Sequence, residues 1–423
     1  MDPQMITLVF LAFAIVMFVL EKIPLSITAM IVAVGLTLTG VLTPAEAFAG
    51  FTNSNVLLFM AMFIVGAAFF ETGMAQQIGG MVTRFAKTER QLIVAIMAIT
   101  GLMSGFLSNT GTAAVLIPVV IGISAKSGFA RSKFFIPLVI AAAMGGNLSL
   151  IGAPGNMIAQ SGLESIGLRF GFFEYGLVGL PILIAGILFY AFIGYKLLPN
   201  NQDADISDSI YNKTINYQAV PKWKSIFSLV VLVVTVLAMI FEEQIGIKLH
   251  VSAWIGALVL VVTKTISEKY AMKSIDMSTI LLFVGSLSLA KALEKTGAGE
   301  MLATTIISAL GTSPSPSALL LVILLISAVM TNFMSNTATT ALLVPISLSI
   351  SQSVGADPRA VLMATVIGGS LAYATPIGMP ANTMVYKLGN YKFNDYVKAG
   401  LPMIVIAIVI AYILLPIFFP FYP

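Results

Sequence analysis

The sequence Met103-Ser104-Gly105-Phe106-Leu107-Ser108-Asn109-Thr110-Gly111-Thr112 lies in the middle of residues 91–124, a stretch with no charged side chain. As one helix that stretch would be about 51 Å long, against a hydrocarbon core of about 30 Å. Its middle is polar, and Gly, Ser and Asn favour an interruption there. It reads either as one over-long span or as a helical hairpin that dips into a bilayer and turns at Ser108-Asn109-Thr110. Arg84, Lys87 and Arg90 precede it, and Lys126, Arg131 and Lys133 follow it. A hairpin keeps both basic clusters on one side of the membrane, whereas a single span would separate them.

A second copy lies downstream. Residues 317–350 are also uncharged and carry Ser335-Asn336-Thr337 at their centre. Three further landmarks recur in the same order. Ile23-Pro24-Leu25-Ser26-Ile27-Thr28-Ala29-Met30 pairs with Ile247-Lys248-Leu249-His250-Val251-Ser252-Ala253-Trp254. Leu57-Leu58-Phe59 with Thr72-Gly73 pairs with Leu281-Leu282-Phe283 with Thr296-Gly297. Ile151-Gly152-Ala153-Pro154-Gly155-Asn156 pairs with Ile377-Gly378-Met379-Pro380-Ala381-Asn382. One match among apolar residues means little; four in register at about 226 residues indicate an internal repeat. The halves are residues 1–199 and 223–423, joined by a polar linker, 200–222, that contains Asp203, Asp205 and Asp208.

Each half divides in the same way. Spans are expected near residues 5–20, 23–42 and 56–70, then the hairpin 91–124, a Gly/Pro-interrupted segment 134–161, and a span 175–197. The second half gives 225–241, 249–266, 280–293, the hairpin 317–350, the interrupted 360–386, and 401–420. The predicted fold is thus an all-α polytopic membrane protein of two repeats, each with five transmembrane helices (one interrupted) and one re-entrant hairpin. Five is odd, so the repeats insert with inverted topology. This arrangement puts 17 of the 22 lysines and arginines on one side and leaves Arg169, Lys248, Lys291, Lys295 and Arg359 on the other. The positive-inside rule makes the first side, and the linker, cytoplasmic. Both termini are then outside an inner, cytoplasmic membrane; the first hairpin enters from the cytoplasm and the second from outside.

Composition agrees with lipid as the solvent: 58% of residues are hydrophobic and 9% charged, against about 25% charged in soluble domains. Residues 5–20 have no basic residue before them and no small-residue cleavage site after them, so a span is expected there rather than a cleaved signal. The absence of cysteine excludes disulfides and thiolate metal sites. The net charge of +4 comes with no clustered basic face, so no nucleic-acid partner is expected.

The uncharged hairpins and the interrupted segments contain no Asp, Glu, His, Lys or Arg; Arg359 lies just before the last of them. Proton-coupled transporters usually place such groups in the core. Charge must be balanced instead by backbone dipoles and by the transported ions. The Ser, Asn and Thr of each tip are N-cap residues at the start of a second arm, and free N–H groups at a helix start favour an anion. Their hydroxyl and amide oxygens suit a hard cation such as sodium. In the interrupted segments Gly permits unwinding and Pro removes a donor. The freed carbonyls are tolerated in a membrane only where they face protein, water or an ion. A lone Ser-Asn-Thr is usually an ordinary cap and a lone Gly-x-Pro a kink; their doubling in register favours a paired binding site near the midplane. His250 at a span end, Glu71, Lys291 and Glu294 at the ends of the third spans, and the 22 methionines read as interfacial, paired or packing residues. Trp223 and Trp254 read as interface anchors.

The two tip motifs, the trailing Ala114-Val115-Leu116-Ile117-Pro118 and Ala341-Leu342-Leu343-Val344-Pro345, and the doubled Gly-x-Pro-x-Asn resemble the divalent anion/sodium symporter family, which includes dicarboxylate and sulfate transporters. The resemblance covers nearly the whole chain. It implies a homodimer whose transport domain moves as an elevator against a scaffold, each domain drawn from both repeats. It implies one sodium site per half: Ser104, Ser108, Asn109 and Gly152 in the first, Thr331, Ser335, Asn336 and Gly378 in the second. Substrate carboxylates would meet Asn109, Thr110, Asn336 and Thr337, with Pro380 close by and Pro154, Asn156 and Asn382 supporting the loops. The family's loop commonly reads Thr-Pro-Pro-Asn, and this chain departs from it twice, with Ala153-Pro154-Gly155-Asn156 and Met379-Pro380-Ala381-Asn382. It also lacks the family's usual extra N-terminal span, which fits an N-terminus outside.

The expected function is therefore sodium-coupled import of a small dianion such as succinate, malate or fumarate, with no organic cofactor. A sodium-independent exchanger would most simply need a basic residue at the site, and a sulfate or other inorganic anion transporter could use the same fold. A channel has no evident need of two inverted hairpins. A receptor should carry a sizeable soluble domain, and an enzyme needs an acid, base or nucleophile constellation that the core lacks.

Overall fold

The computed structural model describes residues 2–20, 22–82, 86–201, 220–310 and 315–421, and among them every regular element is a helix. The first half runs α1 (Pro3–Leu20), α2 (Leu25–Leu38), α3 (Pro44–Phe48), α4 (Ser54–Glu71), α5 (Met74–Val82), α6 (Glu89–Ser104), α7 (Asn109–Ser127), α8 (Ser132–Gly145), α9 (Pro154–Glu164) and α10 (Gly176–Phe192). The second runs α11 (Lys222–Ile240), α12 (Glu242–Ile245), α13 (Leu249–Val262), α14 (Glu268–Ser274), α15 (Met277–Thr296), α16 (Ala298–Leu310), α17 (Pro316–Thr331), α18 (Asn336–Val354), α19 (Pro358–Gly369), α20 (Pro380–Leu388) and α21 (Phe393–Phe418). Most of the expected linker, together with Arg84 and Lys213, lies outside the described residues.

The breaks fall where the sequence is polar or rich in Gly and Pro. Both uncharged stretches divide at their Ser-Asn-Thr tips, into α6 and α7 and into α17 and α18. Ser108 Oγ accepts from Gly111 N at 3.1 Å and Ser335 Oγ from Ala338 N at 3.2 Å, so each second arm is N-capped. Gly128 and Gly355, at φ +75° and +66°, end those arms. The interrupted segments divide into α8 and α9 around residues 146–153, and into α19 and α20 around 370–379. Three expectations shift. The span near 23–42 closes at Leu38 and is followed by α3, which Thr43 starts by accepting from Glu46 N. The last span begins at Phe393 rather than 401, where Lys392 N donates to Asp395 Oδ2 at 2.7 Å. The short helices α5 and α16, which follow α4 and α15, were not anticipated.

Among the described residues seven helical stretches are long and apolar enough to cross a membrane, and six further apolar helices are shorter. α7 and α18, the second arms of the expected hairpins, are among the seven, so length and composition alone do not distinguish them from spans. Outward faces are apolar, as lipid requires. On α13 Val251, Ile255, Leu258 and Val262 are exposed, and on α21 Leu401, Val405, Val409, Ile413 and Ile417 are exposed.

The helices pack in corresponding pairs. α2 lies on α15 and α4 on α13; α6 lies on α8 and α17 on α19; α10 lies on α21. One group therefore gathers α1, α2, α4, α11, α13 and α15, and another gathers α6–α10 with α17–α21. Within the second group each interrupted loop touches a glycine of the last helix of its half. A Cβ on Gly179 would lie 2.0 Å from Asn147 O, and one on Gly400 would lie 2.0 Å from Tyr373 O. Gly179→Ala and Gly400→Ala should each lower the thermal midpoint of purified protein, by an overpacking penalty of about 1–3 kcal/mol. Gly122→Ala, with nothing near its Cβ, should not. A fluorescence melt of the three variants checks this.

Candidate functional site

The loops between broken helices leave backbone groups without helical partners, and side chains of the same segments take them up. Asn156 Nδ2 donates to Gly146 O and Ser149 O, both at 2.8 Å. Asn382 Nδ2 donates to Ala372 O at 2.8 Å and Thr375 O at 2.9 Å. Tyr175 Oη donates to Asn156 O and Tyr396 Oη to Asn382 O, each at 2.8 Å. In the second half Asn332 adds a clamp: its Nδ2 reaches Leu371 O at 3.0 Å and its Oδ1 accepts from Ala374 N at 3.0 Å. The two loops meet through Ser370 Oγ, which donates to Asn147 Oδ1 at 3.0 Å.

A cavity of about 340 Å³ lies where both tips and both loops converge. Ser108, Asn109, Thr110, Ser335, Asn336, Thr337, Pro154 and Pro380 all line it. Four helix N-termini, those of α7, α9, α18 and α20, therefore end at one space. Each presents free N–H groups and the positive end of its dipole. No lysine, arginine or histidine lines the cavity among the described residues.

Behind each tip is a cluster of oxygens. Ser104 Oγ lies 2.7 Å from both Asn109 Oδ1 and Ala142 O. Asn109 Oδ1 is also 3.1 Å from Ala142 O and 3.2 Å from Gly152 O. In the second half Thr331 Oγ1 lies 2.7 Å from Asn336 Oδ1 and 2.6 Å from Gly369 O. Ser104 and Thr331 are fully buried. In the second cluster one hydroxyl proton, that of Thr331, serves two acceptors; in the first, the surrounding acceptors favour Asn109 Nδ2 turned inward, donating to Ala142 O, Ser104 Oγ and Gly152 O. With Asn109 Nδ2 turned inward the first cluster is a set of ordinary hydrogen bonds; with Oδ1 inward it is an oxygen-only nest, the donor set a hard cation takes. Gly152 and Gly378 stand at the backs of these clusters and have no room for a side chain. A Cβ on Gly152 would lie 2.5 Å from Gly146 O, and one on Gly378 would lie 2.8 Å from Thr331 O.

The sequence-predicted residues thus separate. The tips, Pro154 and Pro380 line the cavity; Ser104, Gly152, Thr331 and Gly378 lie behind it. Asn156 and Asn382 are buried away from it and hold the loops. The departure at Gly155 has a steric counterpart, since a Cβ there would lie 2.8 Å from Thr340 Oγ1 on α18. Sequence reasoning missed the opposite wall: Ser26, Asp276, Ser278 and Thr279 at the starts of α2 and α15, and Phe59 and Phe63 within α4. Asp276 before Met277-Ser278-Thr279 reads as an N-cap, but no local signal says that this cap faces the tips.

Comparisons with known proteins agree with this architecture. YfbS of Escherichia coli, described as an uncharacterized transporter, is 24% identical over 97% of this chain and 98% of its own length. A sodium-dependent dicarboxylate transporter, SdcS of Staphylococcus saprophyticus, is 24% identical over 94% of this chain and 83% of its own. Among solved structures, the YdaH transporter of Alcanivorax borkumensis superposes with a TM-score of 0.60 over 99% of this chain and 98% of that one, at 16% identity. MtrF of Neisseria gonorrhoeae gives 0.66 over 100% and 97%, at 15% identity. Fold and relatives define a multi-pass membrane transporter, not an enzyme. The chain belongs to the CitMHS family, described as citrate transporters, whose pattern matches residues 15–368 and 312–422.

Asn109→Ala and Asn336→Ala should each reduce transport to background while leaving the gel-filtration profile and thermal midpoint near wild type. Each removes a half-buried cavity-lining amide, not a loop clamp. Wild-type transport rates in either variant would remove that tip from the site.

Proposed function

We propose that the protein imports a small dianion, in first place a C4-dicarboxylate, together with sodium. The observation that carries this reading is the convergence of four helix N-termini, each pair backed by an oxygen cluster, on a cavity with no basic side chain. Asn109 and Thr110 at one tip and Asn336 and Thr337 at the other receive one carboxylate each, with Pro154 and Pro380 closing the loops around them. A dianion held by dipoles alone would leave net negative charge in a low-dielectric setting. Sodium at Ser104, Ser108, Asn109 and Gly152, and at Thr331, Ser335, Asn336 and Gly378, offsets it. This is the arrangement of the divalent anion/sodium symporters, and the 24% identity to a sodium-dependent dicarboxylate transporter supports it.

The remaining features follow from that reading. The two halves insert with inverted topology in the inner membrane, both termini outside, and α6–α7 and α17–α18 are the re-entrant hairpins. The cavity lies between two groups of helices, so alternating access is elevator-like: α6–α10 with α17–α21 carry the site past the scaffold. The scaffold's apolar outer face suits a homodimer in lipid. Because the cavity reaches the starts of α2 and α15, beside Lys22, Lys269 and Lys273, it belongs to the cytoplasm-facing state. Citrate, named in the family's description, is the second candidate, since its dianion presents the same paired terminal carboxylates.

Uptake of radiolabelled succinate into proteoliposomes tests the reading. An inward sodium gradient should raise the initial rate at least about tenfold over equimolar potassium, a free-energy difference of about 1.4 kcal/mol in coupling. Unlabelled citrate in excess ranks the two substrates. Uptake indifferent to sodium and dependent on internal dicarboxylate would make the protein an exchanger; no succinate uptake but citrate uptake would reverse the order of candidates.

A further inference from the structure

The cavity holds one ionisable side chain among the described residues that line it, Asp276. Asp276 is exposed and caps α15, accepting from Ser278 N at 3.1 Å, Thr279 N at 3.3 Å and Thr279 Oγ1 at 2.6 Å. Capping alone does not explain the charge. The corresponding cap, at the start of α4, is the neutral Asn53, which accepts from Asn55 N at 2.9 Å and Val56 N at 3.4 Å. Asn and Asp cap about equally well. The two positions differ in a second way. Asn53 Oδ1 also accepts from Ser161 Oγ on α9, at 3.1 Å, while Asn55 Nδ2 donates to Ser161 Oγ at 3.0 Å and to Glu164 Oε2 at 2.8 Å. That side is closed by contacts between the helix groups. On the Asp276 side the carboxylate bonds only within its own helix in the hydrogen bonds described and borders the cavity.

We propose that Asp276 is an exit residue: a fixed negative charge on the scaffold that weakens the anion's hold on the site in the state described here. The proposal rests on the reading of the protein as a dianion transporter. Everything else around the anion attracts it, namely four helix starts and two cation nests. Such a site alone would retain its cargo on arrival. A carboxylate across the cavity repels both charges of a dianion by Coulomb's law. Its position on α15, outside the helix group that carries the tips, makes the repulsion specific to one state. When the tips move away along the scaffold, toward Asn53 on the opposite side, the charge is left behind. Affinity is thereby lowered on the release side and left high on the uptake side, with no titration required.

Asp276→Asn removes the charge and keeps the cap; Asp276→Ser does the same with a different shape. Half-saturation for succinate is measured from each face, using right-side-out and inside-out membrane vesicles. In both variants the cytoplasmic-face value should fall about three- to tenfold, with the outer-face value within twofold of wild type. The fall should shrink between about 0.05 M and about 0.5 M choline chloride, because salt screens exposed charges, whereas a shape effect would not respond. Unchanged values at both faces, equal changes at both faces, or a weaker sodium activation in place of tighter substrate binding would each overturn the assignment. A wild-type protein that moves neither succinate nor citrate overturns the transport reading itself and the inference with it; a functioning wild type with unaltered variants overturns the inference alone.

Discussion

The constraint on which the rest depends is the need to satisfy backbone that has been freed from helices where little water reaches. A helix broken at residues 146–153 or 370–379 exposes carbonyls and N–H groups that lipid cannot pair. The chain answers with short side chains placed close in sequence. Asn156 and Asn382 each bind two loop carbonyls, seven and ten residues earlier, through one amide nitrogen. The tyrosines Tyr175 and Tyr396 hold the carbonyls of those asparagines in turn. Glycines at 179 and 400 let the last helix of each half lie directly on the loop backbone. What remains unspent after this pairing is directional: helix N-termini facing a common space, and carbonyls gathered behind the tips.

Charge balance then needs no titratable group. A transporter with a buried lysine or arginine holds an anion through one strong pair and bears the desolvation cost when the anion leaves. Here helix dipoles, which stay neutral in sum, face the cavity in place of a basic side chain. On the sodium-coupled reading proposed above, coupling is then an electrostatic necessity. Each tip amide sits at the junction of the two demands, with Asn109 facing the cavity and also reaching Ser104, Ala142 and Gly152 behind it. An amide can turn either its nitrogen or its oxygen to that cluster. On the proposed reading, a cation there would be felt in the orientation of a group that also lines the cavity.

Much of this was legible in the sequence because the signals were doubled. The all-helical class followed from hydropathy, and the breaks at Ser108-Asn109-Thr110, Ser335-Asn336-Thr337 and the two Gly-x-Pro-x-Asn elements fall where cap and loop residues cluster. Helix ends were less legible. Phe393 begins α21 well before the apolar run because Lys392 and Asp395 cap it, and hydropathy windows do not register caps. The α5 and α16 helices were lost for a related reason: they follow long apolar helices with a glycine between, at Gly73 and Gly297, and carry no span signal of their own. In the site, the tips were visible because they are polar within apolar surroundings. The facing wall was not, since Phe59 and Phe63 look like any span residue and Asp276 like any helix cap. Their role is created by tertiary approach of α2, α4 and α15 to the tips.

That contrast has a physical origin. The tip-bearing part of the molecule has its polar chemistry written locally, in oxygens and helix starts a few residues apart. The facing wall is assembled from single residues of separate helices, so no one stretch of sequence announces it. Pseudo-symmetry makes the few exceptions readable. Where the two halves serve the same task they keep the same residue type, as at Asn109 and Asn336 or Asn156 and Asn382. Elsewhere they differ, and the caps at the starts of α4 and α15, Asn53 and Asp276, differ by one unit of charge. Equal halves would bind a ligand equally from either side, so only such differences can make the two faces unequal in affinity, while the direction of net transport is set by the gradients themselves.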